Sequence, residues 1–498
     1  MTLLDTVVKT GYNRAFARPL TAGDRAYLAF HRLNPGEFQD VGAVLFLDGP
    51  VELADLRAHI ADRVRQSRAL MLTDRLETVT VRAPDRRATH TETHWVSQPD
   101  MDVDAHVVAV PLPTHEAAAR LGHNDAVGDR RIRAAVDEIA TWPTDMESQP
   151  WKVYLLCDPA AGPPTAMSSG AGTYGAGTYG SGTYGSGTSG SVVVYRTSHI
   201  AQDGAALYRA LHLLFGGDDD PDIGLPTEIP RPRAADYLRF VNRGLNVLSS
   251  TRVLDAWGGR PCGPARHTWT HADLGEIRAA ARRHNATVND VYLAALAGAI
   301  RAWSEFEWRH DDRPVHALMP VSIRLAADQN VLSNFTSGVR VALPCGEPDA
   351  AHRVARIAEV TGRLKGGGIG LVEHHLFPSV AQRATPRMLS YAASFGGRTH
   401  ELAMVATNAR TIRGPLDVAG RKVLEMIGTG PLLVGRQHLS VALFGVGDRV
   451  GITFAASDSV PNHERLASLW RYELDELNRL APIGVQVPLQ RRSVPSAG

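Results

Sequence analysis

Apolar positions along this chain recur first at strand spacing and then at helix spacing, many times over. Val41 to Leu47 is a compact apolar run of strand length. Glu52 to Gln66 then places Leu53, Leu56, Ile60 and Val64 at helical intervals with charges between them, which predicts a helix lying on a core with one face wet. Trp151 to Leu156 and Ser191 to Thr197 read as two further strands, the second rich in valine, and are expected to be the arms of one hairpin. Ala205 to Phe215 reads as a helix with Leu207, Leu211 and Leu214 on one side, and another helical stretch covers about Ala234 to Leu254. A second alternating series of strands and helices runs from residue 265 to about Leu480. The pattern predicts an α/β (α+β) protein. Its best apolar run, Val291 to Ile300, includes Gly298 and stops well short of the roughly 18 residues that a membrane-spanning helix needs.

Two shifts in composition divide the chain. Gly216 to Pro232 is acidic and then proline-rich, which ends the preceding helix and marks a linker. The expected division is a first unit over 1–216, a linker and connecting helix over 217–264, a second unit over 265–480 and a loose tail over 481–498. Within the first unit, the pentads AGTYG, AGTYG, SGTYG and SGTSG fill Ala171 to Gly190. Glycine at two of every five positions makes a fixed backbone entropically costly, so a flexible exposed loop is expected over 170–190. A phosphate cradle is not, because the repeat runs into a strand and not into a helix start.

Charge and cysteine usage narrow the function classes. The formal net charge of +1 over 498 residues gives no electrostatic reason to expect nucleic acid. The three cysteines are far apart and outside any CxxC spacing, so neither a disulfide framework nor a metal site is indicated. With no secretory leader pattern at the N-terminus, a cytoplasmic location is expected.

The candidate chemistry begins where the valine-rich strand ends, at Ser198-His199-Ile200-Ala201-Gln202-Asp203-Gly204. A rigid strand end fixes the direction of an imidazole that can take a proton near neutral pH. Asp203 caps the following helix or pairs with an arginine to hold the turn closed, the role we favour; its other reading is to tune the histidine. Thr287-Val288-Asn289-Asp290 precedes the apolar run and reads equally as a functional Asn-Asp pair or as a capping box that starts a buried helix. His374-His375 has no Asp-Gly at the right distance and reads as a loop or helix-end pair.

Taken in order, these strings resemble those of the bacterial wax ester synthase and diacylglycerol acyltransferase (WS/DGAT) family, within the CoA-dependent acyltransferase and condensation-domain superfamily. PLTAGDRAYLAF is similar to the family's opening segment, HWVSQPDMDVDAHVVAVPLP to its Trp-rich stretch, Gln149-Pro150-Trp151 to its Pro-Leu-Trp motif, and Ser198 to Gly204 to its His-His-x-x-x-Asp-Gly signature. Asn289-Asp290 resembles its Asn-Asp motif; MPVSIR and SNFTSGVRVALP resemble a paired strand region, in which Arg324 and Asn334 are the polar residues to watch. The resemblance implies two chloramphenicol-acetyltransferase-like subdomains, each a mixed sheet flanked by helices, with the active site and a tunnel at their interface.

It also implies an O-acyltransferase with His199 as general base and Asp203 beside it, and with Ser198, Gly204, Trp151, Asn289, Asp290, Arg324, Asn334 and Asn408 binding substrate or shaping the site. Acyl-CoA would be the co-substrate, with no bound cofactor or metal, and a long-chain alcohol or diacylglycerol the acceptor. No G-x-S-x-G elbow offers a covalent route. The chain departs from the family at Ser198, where the family has histidine, and at Thr407-Asn408-Ala409-Arg410, where it has a Ser-Asn-Val-Pro-Gly-Pro turn. These departures keep open a tailoring acyltransferase fed by CoA or a carrier protein, or an acyl-binding member without turnover. Peripheral contact with membrane or lipid droplets is a further expectation, and oligomeric state is left open.

Overall fold

The computed structural model describes residues 17–480 except 38, 67–70, 83–88, 99, 120–126, 147, 159–189, 218–226, 248–250, 310–312, 367–369, 395–401 and 434. The pentad repeat, but for Gly190, and the 481–498 tail therefore lie outside the described residues. The strands are β1 (Ala17–Pro19), β2 (Asp40–Leu47), β3 (Asp74–Arg82), β4 (Thr89–Ser97), β5 (Val107–Pro111), β6 (Trp151–Cys157), β7 (Val192–Ser198), β8 (Ala265–Asp273), β9 (Val315–Ser322), β10 (Thr336–Leu343), β11 (Met404–Asn408), β12 (Asp417–Val418), β13 (Arg421–Thr429), β14 (Leu439–Val446) and β15 (Arg449–Ser457). They form two six-stranded mixed sheets, ordered β12-β13-β2-β7-β6-β5 and β10-β9-β11-β14-β15-β8, and a three-stranded sheet β1-β4-β3. The architecture is mixed α/β.

β6 and β7 pair antiparallel with Trp151 opposite Thr197, as arms of one hairpin. Every residue of β7 is buried, as a continuous apolar run requires of a strand covered on both faces. On one face Val193 and Tyr195 pack with Leu56 and Ile60 of the helix Leu53–Arg65 and with Leu211 of the helix Gly204–Phe215. On the other, Val192 and Val194 pack with Ile132 and Val136 of the helix Val127–Ala140 and with Trp269 of the second sheet. The apolar run Val291–Ile300 is the middle of the helix Val288–Trp303, buried all round at the centre of the second core. No described helix is long and apolar enough to cross a membrane.

Sequence order does not hold the two sheets apart. The 265–480 stretch sends β13 to the edge of β2, where Ile427 lies opposite Val44 and Met426 opposite Leu45. Consecutive strands usually neighbour one another, which is why a division by sequence alone keeps β13 with β14 and misses this exchange. The crossing is close: a methyl at Gly451 of β15 would lie 2.8 Å from the Met426 carbonyl oxygen and against Ile427. Gly451→Ala is therefore expected to destabilise the protein by about 1–3 kcal/mol through overpacking, read as a lower Tm in thermal unfolding; an unchanged Tm would show that this approach is loose.

Candidate active site

At the end of β7 the chain turns sharply. Ser198 N–H donates to Pro150 O at 3.0 Å, His199 N–H to Gln39 O at 2.7 Å and Ala201 N–H to Ser198 O at 2.9 Å. Ser198 is buried, and its Oγ accepts from Ile200 N at 3.3 Å. It lines a small pocket with Tyr27, Gln39 and Asp40. The turn ends at Asp203, the N-cap of the helix that begins with Gly204, whose Oδ1 accepts from Ala206 N at 2.8 Å.

Asp203 does more than cap. Its Oδ1 also accepts from Arg324 at 3.1 Å, and its Oδ2 from Phe335 N at 2.8 Å and Thr336 Oγ1 at 3.0 Å. Both side chains of the Asp203–Arg324 pair are 1% exposed. Burial alone would push this carboxyl upward, but Arg324, the Phe335 and Ala206 amides and the Thr336 hydroxyl outweigh it and hold it below the ordinary carboxylate range. The two terminal nitrogens of Arg324 also donate to the carbonyls of Asp328, Val331 and Ser333, and its guanidinium lies over the Phe335 ring. The carboxylate thus fastens the β7 turn to the strand entering β10, which is the arginine-paired structural role.

His199 is half-buried. Tyr27 stacks on its ring with centroids 4.2 Å apart, and its Nδ1 lies 2.9 Å from Asn334 Oδ1. The other end of the Asn334 amide faces three acceptors: Asp24 Oδ1 at 2.9 Å, His199 O at 2.7 Å and Ile200 O at 3.0 Å. An oxygen there would face oxygens on every side, so the NH2 group occupies that end and Oδ1 turns to the histidine. Nδ1 must then carry the proton, and Nε2 keeps its lone pair. Nε2 has no partner among the described residues, and it is not one of the buried orphan atoms. Burial, opposed by Asp203, Asn334 and Asp40, lowers the pKa of this imidazole from its ordinary value, so the ring is neutral near pH 7. A neutral imidazole with a held Nδ1–H and an unpaired Nε2 is built to accept a proton.

The structure therefore brings His199, Asp203, Ser198, Gly204, Arg324 and Asn334 together. It places the other sequence-derived residues elsewhere. Trp151 lies opposite Thr197, but its ring is 1% exposed in the core and donates to Leu72 O at 2.7 Å. Asn408 donates to Asn289 at 3.3 Å, and Asn289 lies 3.4 Å from Met319 Sδ; no hydrogen bond among the described residues joins this group to His199. Asp290 closes a capping box with Thr287 and accepts from Thr361 Oγ1 at 2.6 Å, which is the helix-starting reading. His374 and His375 stand near the start of the helix Leu371–Arg383. Asp24 and Tyr27, the second expected from the sequence only as a residue available for burial, also stand at the site, and both lie in the opening segment PLTAGDRAYLAF.

The site is thus a histidine turn held between residues of both halves, at strand ends of two mixed sheets. Residues 332–478 match the family model of the WS/DGAT C-terminal domain. A putative diacylglycerol O-acyltransferase of Mycobacterium tuberculosis is 28% identical over 257 residues, 51% of this chain and 50% of that protein, so the alignment spans half of the relative's length. Another from the same organism is 23% identical over 418 residues, 74% of this chain and 80% of that protein. Among solved structures, a wax ester synthase/diacylglycerol acyltransferase from Marinobacter aquaeolei is similar with a TM-score of 0.56 at 18% identity, covering 93% of this chain and 99% of that one. The first condensation domain of a calcium-dependent antibiotic synthetase follows with 0.57 at 16% identity, covering 93% and 96%. The chain is related to the WS/DGAT proteins and shares their fold.

Removing Arg324 leaves a buried carboxylate without its counter-charge. Arg324→Met is expected to cost roughly 3–5 kcal/mol at pH 7. Because the folded Asp203 pKa is lowered, the pair's contribution is complete above the unfolded value of about 4 and is lost as pH falls through the folded one. The deficit of the variant should therefore shrink as pH falls, because its Asp203, buried without a counter-charge, takes up a proton at higher pH than the parent's; denaturant unfolding at several pH values checks this, and a deficit independent of pH would refute it.

Proposed function

We propose that this protein is an O-acyltransferase that moves an acyl group from a thioester, acyl-CoA, to a hydroxyl acceptor, with His199 as general base. The carrying observation is the half-buried imidazole whose Nδ1–H is held by Asn334 while Nε2 is unpaired. Nε2 takes the proton of the acceptor hydroxyl as its oxygen attacks the thioester carbonyl carbon. The new C–O bond forms, the C–S bond breaks, and the proton passes from the imidazolium to the departing thiolate. No covalent enzyme intermediate is required. A cysteine route has poor support, since burial pushes the Cys345 thiol up to about 12 and burial with Glu52 nearby also raises that of Cys157.

The reading of donor and acceptor draws on the relatives. Curated relatives carry the name diacylglycerol O-acyltransferase, and a structurally similar starter condensation domain of a rhizomide synthetase, TM-score 0.53, was crystallised with C8-CoA. A long-chain alcohol or diacylglycerol is accordingly the acceptor we propose. Asp203 acts through the turn it fixes and through its charge, with no hydrogen bond to the imidazole.

Purified protein incubated with labelled acyl-CoA and a panel of long-chain alcohols and diacylglycerol is expected to form esters. His199→Ala should lower transfer by at least about 10²-fold while circular dichroism and Tm stay near those of the parent; turnover within a few-fold of the parent would remove the base from the mechanism. The pH profile gives an independent check. With the His199 pKa lowered by burial, the acid limb of kcat/KM should be centred below the ordinary imidazole value of ~6.5. An acid limb centred above that value would contradict the assignment.

A further inference from the structure

A buried carboxylate that no step of the proposed reaction touches lies one residue away from the imidazole. Asp24 is 0% exposed, in the first turn of the helix Ala22–Leu33. Every group bonded to it donates. Its Oδ1 accepts from Asn334 N and Asn334 Nδ2, both at 2.9 Å, and its Oδ2 accepts from Ser333 Oγ at 2.9 Å and from Thr21 N and Trp95 Nε1, both at 3.1 Å. Such a set suits an ionised carboxylate, which can only accept, and hydrogen bonds to a charged acceptor are about twice as strong as neutral ones. Asn334 is gripped by both its backbone and its side chain, and the far end of that side chain meets His199 Nδ1.

We infer that Asp24 is a positioning residue for the acyl transfer: by holding the NH2 end of Asn334 it aims Oδ1 at His199, fixes the imidazole in its Nδ1–H form and keeps Nε2 as the basic atom. This rests on the function proposed above. A capping role alone would end at Thr21, whose Oγ1 receives Asp24 N and whose N–H donates back. The bonds to Asn334 and Trp95 reach 310 and 71 residues away and contribute nothing to starting a helix. With an amide in place of the carboxylate, two N–H groups would point at donors, either at Asn334 or at Thr21 and Trp95. Either placement removes or weakens the acceptor that helps the His199 and Ile200 carbonyls hold the NH2 end of Asn334, and each Asn334 amide that turns sets its NH2 against Nδ1 and drives the proton to Nε2.

The test is a double-mutant cycle in kcat, with the histidine protonation site read separately by nitrogen NMR on the full-length protein labelled with [15N]histidine, the His199 signals being identified by their loss in His199→Gln. Asp24→Asn and Asn334→Ala are each expected to lower kcat by roughly 10²-fold, with KM for the acyl donor within about threefold, and the double variant to be no worse than the more damaged single one, since both act through one amide. Losses that multiply in the double variant would overturn the proposal, leaving Asp24 as an independent stabiliser. In the parent protein the His199 proton should sit on Nδ1, and Asp24→Asn should populate the Nε2–H form; an Nε2–H parent, or an unchanged tautomer in a folded variant, also overturns it. Asp24→Glu keeps an acceptor-only group and is the variant to use should Asp24→Asn not fold: it is expected to keep the Nδ1–H form and turnover within about tenfold, and an Nε2–H signal in it would count against the idea. A parent that transfers no acyl group sinks the functional reading while the NMR result still judges the positioning, whereas an unchanged Asp24→Asn enzyme beside an inactive His199→Ala sinks the positioning alone.

Discussion

The buried pair between Asp203 and Arg324 is the constraint on which the site depends. Both side chains are sealed from solvent, where a lone charge would be intolerable, so each fixes the place of the other. Because Asp203 also takes the amides of Ala206 and Phe335, one carboxylate locks the start of a helix in the first half of the chain to the entry of β10 in the second. His199, four residues before it, is placed as a consequence. The catalytic proposal needs the imidazole to be held, and the ion pair with its neighbours is what holds the backbone around it.

The strand exchange serves the same end at larger scale. β13, still paired with β12, joins the first sheet by pairing with β2, and β2 in turn pairs with β7, the strand that leads to His199. Asp40, at the start of β2, lies opposite Ser198. The turn is therefore braced from two sides by the second half of the chain, through β13 along the sheet and through Arg324, Asn334 and Phe335 across it. Relative motion of the two sheets would have to pull Arg324, Phe335 and Thr336 away from the buried Asp203 carboxylate, so the imidazole sits at a stiff junction.

What could be read before the structure was known follows from locality. β2, the β6–β7 hairpin and the helices Leu53–Arg65, Gly204–Phe215 and Val288–Trp303 announce themselves by spacing, because each buries its apolar face against near neighbours. The turn from Ser198 to Gly204 shows as a strand end followed by a helix cap. Arg324 and Asn334 came from resemblance, since no pattern in the residues says that they meet a turn more than 120 positions earlier. Trp151, Asn289, Asp290 and Asn408 carried the same kind of resemblance, and their side chains meet the core, one another and a helix cap, with no hydrogen bond to His199 among the described residues. Asp24 was legible only as part of the opening segment: nothing near it in the chain points to a partner 310 positions away.

The bond from Asn334 to Asp24 spans most of the chain, 310 positions, and the one to His199 spans 135. Closing loops of that length precedes any reward from the contacts they make. On a ribosome the imidazole is thus synthesised long before the amide that orients it, and during synthesis its two nitrogens are interchangeable. Under the proposed mechanism the competent site is a late product of assembly: a nascent or shortened chain ending before residue 334 carries the histidine without the partner that fixes its tautomer.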